Sequence, residues 1–159
     1  ALDWLQSLGY NRLGIAGTSL GSCVAFLACA HDARLRANVF NLFSYTFADA
    51  VWTGLTTRHI RRGFDDRIDL EKLRACWKVI APASYLDCLM KNRSRSLFIY
   101  GKYDTTFPPQ FSERMLHEVR LRGISHKAVA LPCGHYTLGE IPFKFIDAYH
   151  ICIFLRKWL

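Results

Sequence analysis

The sequence predicts one α/β domain over residues 1–159, with helices flanking a mostly parallel sheet. Four short and nearly continuous apolar segments are each bounded by turn residues, which is typical of strands covered on both faces. Helical patterns follow these segments, and such alternation requires right-handed crossovers between parallel strands. Hydrophobic residues make up 51% of the chain and charged residues 21%, a composition typical of globular rather than disordered proteins.

The predicted strands alternate with helices of different character. The helix after the first strand contains the small residues Gly21, Ser22 and Ala25, which permit close packing on the sheet. The helix after the third strand begins at prolines, and we expect it to end at Gly123. The four predicted strands are RLGIAG (12–17), ANVFNLF (37–43), SLFIYG (96–101) and KAVALP (127–132).

The segment 44–95 is too long for a single crossover, and we expect it to form a helical cap over a pocket. One helix is predicted over DAVWTGLTTRHIRRGF, residues 49–64. A second is predicted over DLEKLRACWKVIAP, residues 69–82, with Asp69 as its N-cap and Pro82 at its end.

The last segment, IDAYHICIFLRKWL, is strongly apolar. It is too short to span a bilayer, and it carries Asp147, Arg156 and Lys157. We therefore expect a buried terminal helix and no membrane span.

The six cysteines form no CxxC pair, and most stand among apolar neighbours, as buried free thiols do. This pattern favours a reducing compartment, and we expect a cytoplasmic protein. The cysteines are Cys23, Cys29, Cys76, Cys88, Cys133 and Cys152.

The formal net charge is +8, but lysine and arginine are scattered along the chain. Their densest group is TRHIRR, which ends at Arg62 and is either a solvated helix face or a site that attracts anionic substrates or lipid headgroups. No surface with interleaved basic and aromatic residues is visible, so no nucleic-acid partner is expected.

The motif GTSLG places glycine two residues before and two residues after Ser19. A sharp turn from strand to helix strains the serine backbone and brings Gly17 close to Gly21, so that a side chain at either position is expected to clash. Ser19 is thus a candidate nucleophile, and a serine in an ordinary turn is the alternative.

A serine nucleophile needs a base and a carboxylate that orients the base. Asp104 follows the third strand in KYDTTFPP, and His135 follows the fourth in CGHYTLGE. The order Ser, Asp, His along the chain is the one expected of a serine on a strand-to-helix turn of this kind. Ser19, Asp104 and His135 are therefore predicted to meet at one edge.

The other candidate bases and acids are less well placed. His59 lies in the helical cap, where it either contacts substrate or is exposed to solvent. The remaining candidates lie within predicted helices or before a strand: His31, His117, His126, His150, Asp87 and Asp147.

Three segments resemble motifs of the α/β-hydrolase superfamily: GTSLGS its nucleophile elbow, FIYGKYDTTFPP its acid turn and LPCGHYTLGE its histidine loop. The similarity covers nearly the whole chain, from the fifth strand of that fold to its last helix. It is greatest to the esterase, lipase, dienelactone-hydrolase and prolyl-oligopeptidase-like branches. The resemblance implies the C-terminal half of the fold, truncated at its N-terminus.

The resemblance implies that Ser19 is the nucleophile, His135 the general base and then acid, and Asp104 the residue that orients the imidazole. The backbone N–H of Leu20 is implied as one oxyanion-hole donor. No metal or organic cofactor is implied. Cys23 is interpreted as a packed thiol rather than a second nucleophile.

Hydrolysis of a small-molecule ester or thioester is the first expectation. A serine peptidase of the same fold is one alternative, and a non-catalytic binding module is another. The aromatic residues of the helical cap line an acyl pocket or belong to the core: Phe47, Trp52, Trp77 and Tyr85.

The chain departs from the superfamily pattern in lacking the earlier strands and the loop that supplies a second oxyanion donor. One such donor is typically worth roughly 2.7–4 kcal/mol of transition-state stabilisation, so we expect slow turnover by the 159-residue chain. The first strand also has one unpaired edge, which favours self-association.

Overall fold

Four parallel strands form the sheet of the computed structural model, which covers residues 1–159. They follow one another in the spatial order β1-β2-β3-β4, and every neighbouring pair is parallel. The predicted α/β class is therefore confirmed, with each strand within two residues of its predicted position. The strands are β1 (Leu13–Thr18), β2 (Leu35–Asn41), β3 (Arg95–Gly101) and β4 (His126–Leu131).

Eight α-helices connect and flank these strands. A 3-10 turn, Trp77–Ile80, continues the fifth helix, and further 3-10 turns cover Pro82–Tyr85 and Thr137–Gly139. None of the helices combines the length and the apolar character needed to cross a membrane. The α-helices are α1 (Leu2–Ser7), α2 (Leu20–His31), α3 (Phe47–Thr53), α4 (Arg58–Arg62), α5 (Leu70–Cys76), α6 (Leu86–Asn92), α7 (Pro109–Leu121) and α8 (Phe143–Trp158).

The main core lies on the face of the sheet covered by α2, α6 and α7. Three phenylalanine rings connect α2 to the two central strands, with centroid separations of 5.0 Å from Phe26 to Phe40 and 5.0 Å from Phe40 to Phe98. Of the small residues predicted to permit close packing of α2, Ser22 and Ala25 are buried, but Gly21 is exposed. A second core of nine buried residues lies on the opposite face, where Phe154 of α8 joins Leu97.

The expectation that the terminal helix is buried is wrong. Among the residues of α8 only Phe154 is buried, whereas the Tyr149 side chain on another face is 62% exposed. The apolar residues of α8 are distributed around the helix, but the sheet can cover only one stripe of it. The remaining apolar side chains, including those of Phe145 and Ile153, face solvent.

The helices between β2 and β3 differ from their predicted bounds. The predicted helix over 49–64 is two helices, because the chain turns at Gly54, where a Cβ would lie 2.5 Å from the carbonyl oxygen of Thr106. The second helix begins as predicted, since the Asp69 carboxylate accepts a hydrogen bond from the Lys72 N–H at 2.8 Å. It ends at Cys76 and tightens into the 3-10 turn that follows.

The segment 44–95 contributes to two parts of the molecule. Helix α6 belongs to the main core through Leu86 and Leu89. The loop before α4 instead contacts the loop after β3, where the Leu55 N–H donates to the carbonyl oxygen of Thr105 at 2.8 Å. This second contact lies at the carboxyl edge of the sheet. The cap function of the segment stays a prediction.

The cysteines differ more in solvent exposure than expected. Cys23, Cys29 and Cys133 are buried, but Cys76 and Cys152 are exposed. All six are free thiols.

Candidate active site

Ser19 stands between β1 and α2 in a backbone conformation that few residues other than glycine adopt, with φ 58° and ψ −125°. Its N–H donates to the carbonyl oxygen of Asn41 at the end of β2, at 2.9 Å. Strained backbone of this kind persists only where surrounding contacts hold it, and it is common at functional sites. The conformation places Ser19 just beyond the carboxyl end of the sheet.

Gly17 makes this turn possible. A Cβ at Gly17 would lie 2.1 Å from the carbonyl oxygen of Gly21 and 2.9 Å from the Cβ of Ala25. The expectation of a clash at both glycines is only half correct, because a Cβ at Gly21 would meet no atom within 4 Å. The carbonyl group of Gly21 is the backbone that lies against Gly17, whereas the space where a Gly21 side chain would stand is open.

Asp104 lies in the turn after β3 and is 4% exposed. Its Oδ1 accepts hydrogen bonds from the backbone N–H groups of Thr106 at 2.7 Å and Phe107 at 2.8 Å. These two bonds fix the carboxylate and leave Oδ2 free for another donor. His135 Nδ1 lies 2.7 Å from that oxygen.

His135, in the loop after β4, links the carboxylate to the serine. Its Nε2 lies 2.8 Å from Ser19 Oγ. With Nδ1–H donating to Asp104, Nε2 of the neutral ring accepts the Ser19 hydroxyl proton. The ring packs beside Phe107 and Tyr136, with centroid separations of 5.3 and 5.5 Å.

The three residues predicted to meet thus form one continuous hydrogen-bonded series. Such an arrangement can move a proton from Ser19 Oγ to His135 while the charge of Asp104 stabilises the imidazolium ion. None of the other histidines bonds to Ser19 or Asp104. His59 on α4 is exposed and lies with Nδ1 3.0 Å from the carbonyl oxygen of Thr56.

His126 is the first residue of β4 rather than a residue before it, and it lies at the amino edge of the sheet. His31, His117 and His150 lie in α2, α7 and α8, as expected.

Leu20 is the first residue of α2, directly after Ser19. The first N–H groups of a helix have no partner within the helix, and the helix dipole makes that end favourable for negative charge. The oxyanion role of Leu20 stays a prediction.

Two hollows share His135 and Tyr136 in their linings. One has a volume of about 490 Å³ and includes Tyr103, Thr105 and Tyr136 in its lining. The other has a volume of about 400 Å³ and includes Thr18 and Lys144 in its lining.

Asn41 and Asp147 also line the second hollow. The sequence analysis missed Asn41 and set Asp147 aside as a helical residue. Asn41 Nδ2 donates to Asp147 Oδ2 at 2.8 Å, which connects β2 to α8. Burial raises the pKa of the Asp147 carboxyl, and the Asn41 hydrogen bond offsets part of that effect. No sequence pattern marks this pair, because Asn41 is one of three polar residues in β2 and Asp147 lies 106 positions away.

Cys23 lies on α2, four residues beyond Ser19, and is buried beside Ala50 and Phe107. Burial raises the pKa of its thiol to about 11. The thiol is therefore protonated near neutral pH and is not an activated nucleophile.

The four aromatic residues of the predicted cap separate into two groups. Phe47 stacks on Trp77 with a centroid separation of 5.2 Å and also contacts Phe107, the neighbour of His135. Tyr85 instead packs against His31 at the far end of α2, and the Trp52 ring lies under the Arg61 guanidinium. Only Phe47 and Trp77 are connected to the candidate site.

No protein-family model matches the sequence, and no curated protein matches it either. Solved structures are similar in three dimensions. Acylaminoacyl peptidase of Pyrococcus horikoshii aligns with a TM-score of 0.73 and 14% identity over 96% of this chain. An esterase of Pyrococcus furiosus aligns with a TM-score of 0.65 and 14% identity over 99% of it. Acetyl xylan esterase 1 of a Thermoanaerobacterium species aligns with a TM-score of 0.60 and 18% identity over 91%.

The chain spans only part of each of these proteins. It covers 25% of the acylaminoacyl peptidase, 58% of the Pyrococcus furiosus esterase and 46% of the acetyl xylan esterase.

Proposed function

We propose that this chain, whose fold is that of the α/β hydrolases, is a serine hydrolase that transfers an acyl group from a carboxylic ester or thioester to water. Ser19 is the nucleophile, His135 the general base and acid, and Asp104 the carboxylate that orients the imidazole. The observation that carries the proposal is the hydrogen-bonded series from Ser19 Oγ through His135 to Asp104.

The first half-reaction forms an acyl-enzyme. Ser19 Oγ attacks the carbonyl carbon of the ester while its proton passes to His135 Nε2. The carbonyl π electrons move to oxygen, and the resulting oxyanion is stabilised by the Leu20 N–H and the amino end of α2. When the intermediate collapses, the bond to the leaving group breaks and His135 returns its proton to the departing alcohol or thiol.

The second half-reaction releases the acid. A water molecule gives a proton to His135 Nε2 and attacks the acyl carbon, and the second tetrahedral intermediate expels Ser19 Oγ, which regains the proton. Asp104 remains ionised throughout and stabilises the imidazolium ion in each half. The two N–H groups that bind Oδ1 of Asp104 keep this carboxylate in position.

A serine peptidase is the second candidate function, because the fold of acylaminoacyl peptidase aligns with a TM-score of 0.73. The same three residues would cleave a peptide bond by the same steps. Amides are less reactive than esters, so this alternative depends more on oxyanion stabilisation. A non-catalytic binding module is the third candidate, but binding alone does not require a complete series of nucleophile, base and carboxylate.

Labelling with a fluorophosphonate probe tests the proposed nucleophile. We expect one covalent adduct, mapped to Ser19 by peptide mass spectrometry, absent from Ser19→Ala and strongly slowed in His135→Ala. His117→Ala is the matched control, since His117 lies exposed on α7, and it should label at the rate of the unmodified chain. A folded chain that never labels would support the binding module instead.

Substrate class is tested by comparing a p-nitrophenyl ester with the p-nitroanilide of the same acyl group. An ester hydrolase cleaves the ester and leaves the anilide intact, and a peptidase cleaves both. Cytoplasmic location and self-association through the edge of β1 stay predictions.

A further inference from the structure

A cavity separate from the two hollows near His135 lies at the amino edge of the sheet, opposite the edge that holds Ser19 and His135. Its volume is about 340 Å³, and it lies where β3 and β4 begin and α8 ends. This volume is within the range of about 300–1000 Å³ that small-molecule sites occupy. None of its lining residues belongs to the candidate active site, so an inference about this cavity does not rest on the proposed hydrolysis.

Three cationic side chains from separate elements line this cavity: Arg95 of β3, Lys127 of β4 and Lys157 of α8. No aspartate or glutamate is among its nine lining residues. None of the three cations forms an ion pair. Elsewhere in the chain, four arginines each pair with a carboxylate: Arg34, Arg67, Arg74 and Arg122. Like charges that converge without a carboxylate create a positive potential that attracts an anion.

Contacts with an aromatic ring hold two of these cations in place. The Arg95 guanidinium lies 4.6 Å from the Trp158 ring centroid, and the Lys157 ammonium lies 5.0 Å from it. Arg95 also donates a hydrogen bond to the Ser125 hydroxyl. Side chains that are already ordered lose less conformational entropy when a ligand binds.

We propose that this cavity binds the phosphate group of a small organic phosphate ester. Three formal positive charges match the charge of about −1.5 to −2 on a phosphate monoester at neutral pH better than the single charge of a carboxylate. The guanidinium and ammonium groups supply the donors that phosphate oxygens accept. The apolar body of the ester would pack against the apolar residues of the lining, which are Ile153, Phe154 and Trp158.

Calorimetric titration with phenyl phosphate at low ionic strength tests this site. We expect saturable binding at one site, weakened about tenfold in Arg95→Gln and in Lys127→Gln, because each variant removes one charge-assisted hydrogen bond. Arg156→Gln is the matched control. It removes the same charge one residue from Lys157 but outside the cavity lining, and it should bind as the unmodified chain does. All of these side chains are exposed, so thermal melting should show folded variants.

Two further ligands and a lipid surface distinguish binding of a phosphate ester from binding of any anion or of a membrane. Inorganic phosphate should bind more weakly than phenyl phosphate because it lacks the ring, and benzoate more weakly because it lacks the second charge. The proposal is overturned if phenyl phosphate gives no saturable heat, or if Arg156→Gln weakens binding as much as Lys127→Gln. Cosedimentation with phosphatidic acid vesicles, without binding of phenyl phosphate, would also overturn it in favour of a membrane surface.

Discussion

Helices α2 and α8 lie on opposite faces of the same sheet, and both have sequences dominated by apolar residues. Helix α2 buries six of its twelve residues. Helix α8 is four residues longer and buries only Phe154. Composition alone therefore does not determine which helix is buried.

The difference comes from the neighbours of each helix. Helix α2 is enclosed by the sheet and by α6, whose Asn92 side chain donates to the carbonyl oxygen of Cys29 at 2.6 Å. Helix α8 has the sheet on one side and solvent on the others. The enclosed helix begins directly after Ser19, the candidate nucleophile. Substitutions on α2 and its turn should accordingly have larger effects than those on α8.

The largest effect is expected from Gly17→Val at the turn into α2. A Cβ there meets the Gly21 carbonyl oxygen at 2.1 Å, so the turn cannot keep its conformation. We expect a loss of more than about 4 kcal/mol in the free energy of unfolding, together with loss of Ser19 labelling. Urea denaturation and the fluorophosphonate assay measure the two effects.

Gly21→Ala is the control for that substitution, because its Cβ meets no atom within 4 Å. It should leave the fold intact and gain up to about 1 kcal/mol from helix propensity. Equal damage from both variants would show that the turn is not packed as described.

Phe26→Ala should have the next largest effect. The Phe26 ring on α2 is 1% exposed and packs against Phe40, so its removal leaves a cavity and costs about 3–5 kcal/mol. Phe154→Ala on α8 should cost less, because α8 has fewer neighbours to lose. Chemical denaturation of the two variants compares the faces directly, and a larger cost for Phe154→Ala would reverse the ranking of the helices.

Asp147→Asn should change the dependence of stability on pH. Burial raises the folded-state pKa of Asp147 above its ordinary value of 3.8, so the folded chain binds this proton more tightly than the unfolded chain. The free energy of unfolding therefore falls as pH rises from 3.8 through the folded-state pKa. The amide retains an oxygen that accepts from Asn41 and does not ionise.

We expect Asp147→Asn to melt at a higher temperature than the unmodified chain at neutral pH, with the gain disappearing below pH 3.8. Melting curves over a pH series measure this difference. A constant offset at every pH would mean that ionisation of Asp147 has no part in it.

The smallest effect is expected from Tyr149→Lys on the outer face of α8. The Tyr149 side chain is 62% exposed, and substitutions of such residues usually change stability by less than about 0.5 kcal/mol. Thermal and chemical denaturation both measure it. A loss of several kcal/mol would mean that this face of α8 is covered in solution.

The sequence was sufficient to predict the strands and the three residues at their carboxyl ends. Each strand is a short apolar segment that ends at turn residues, and parallel strands bring their carboxyl ends to one edge. Ser19, Asp104 and His135 each follow such an end, so their meeting could be deduced without coordinates. Their catalytic roles stay predictions.

Other features depend on packing between distant segments, which periodicity does not reveal. The exposure of α8 depends on which faces of the helix have neighbours. The bond from Asn41 to Asp147 joins residues 106 positions apart. Arg95, Lys127 and Lys157 are unremarkable in the sequence, and only the parallel pairing of β3 and β4 under the end of α8 brings them together.

Activation of Ser19 by His135 is tested most directly by trapping the acyl-enzyme. The chain is mixed with p-nitrophenyl acetate, quenched in acid within seconds and digested for mass spectrometry. We expect an acetyl group on Ser19, absent from Ser19→Ala and strongly reduced in His135→Ala. Acetylation spread over lysines with none on Ser19, or equal acetylation of Ser19 in His135→Ala, would contradict a nucleophile activated by this histidine.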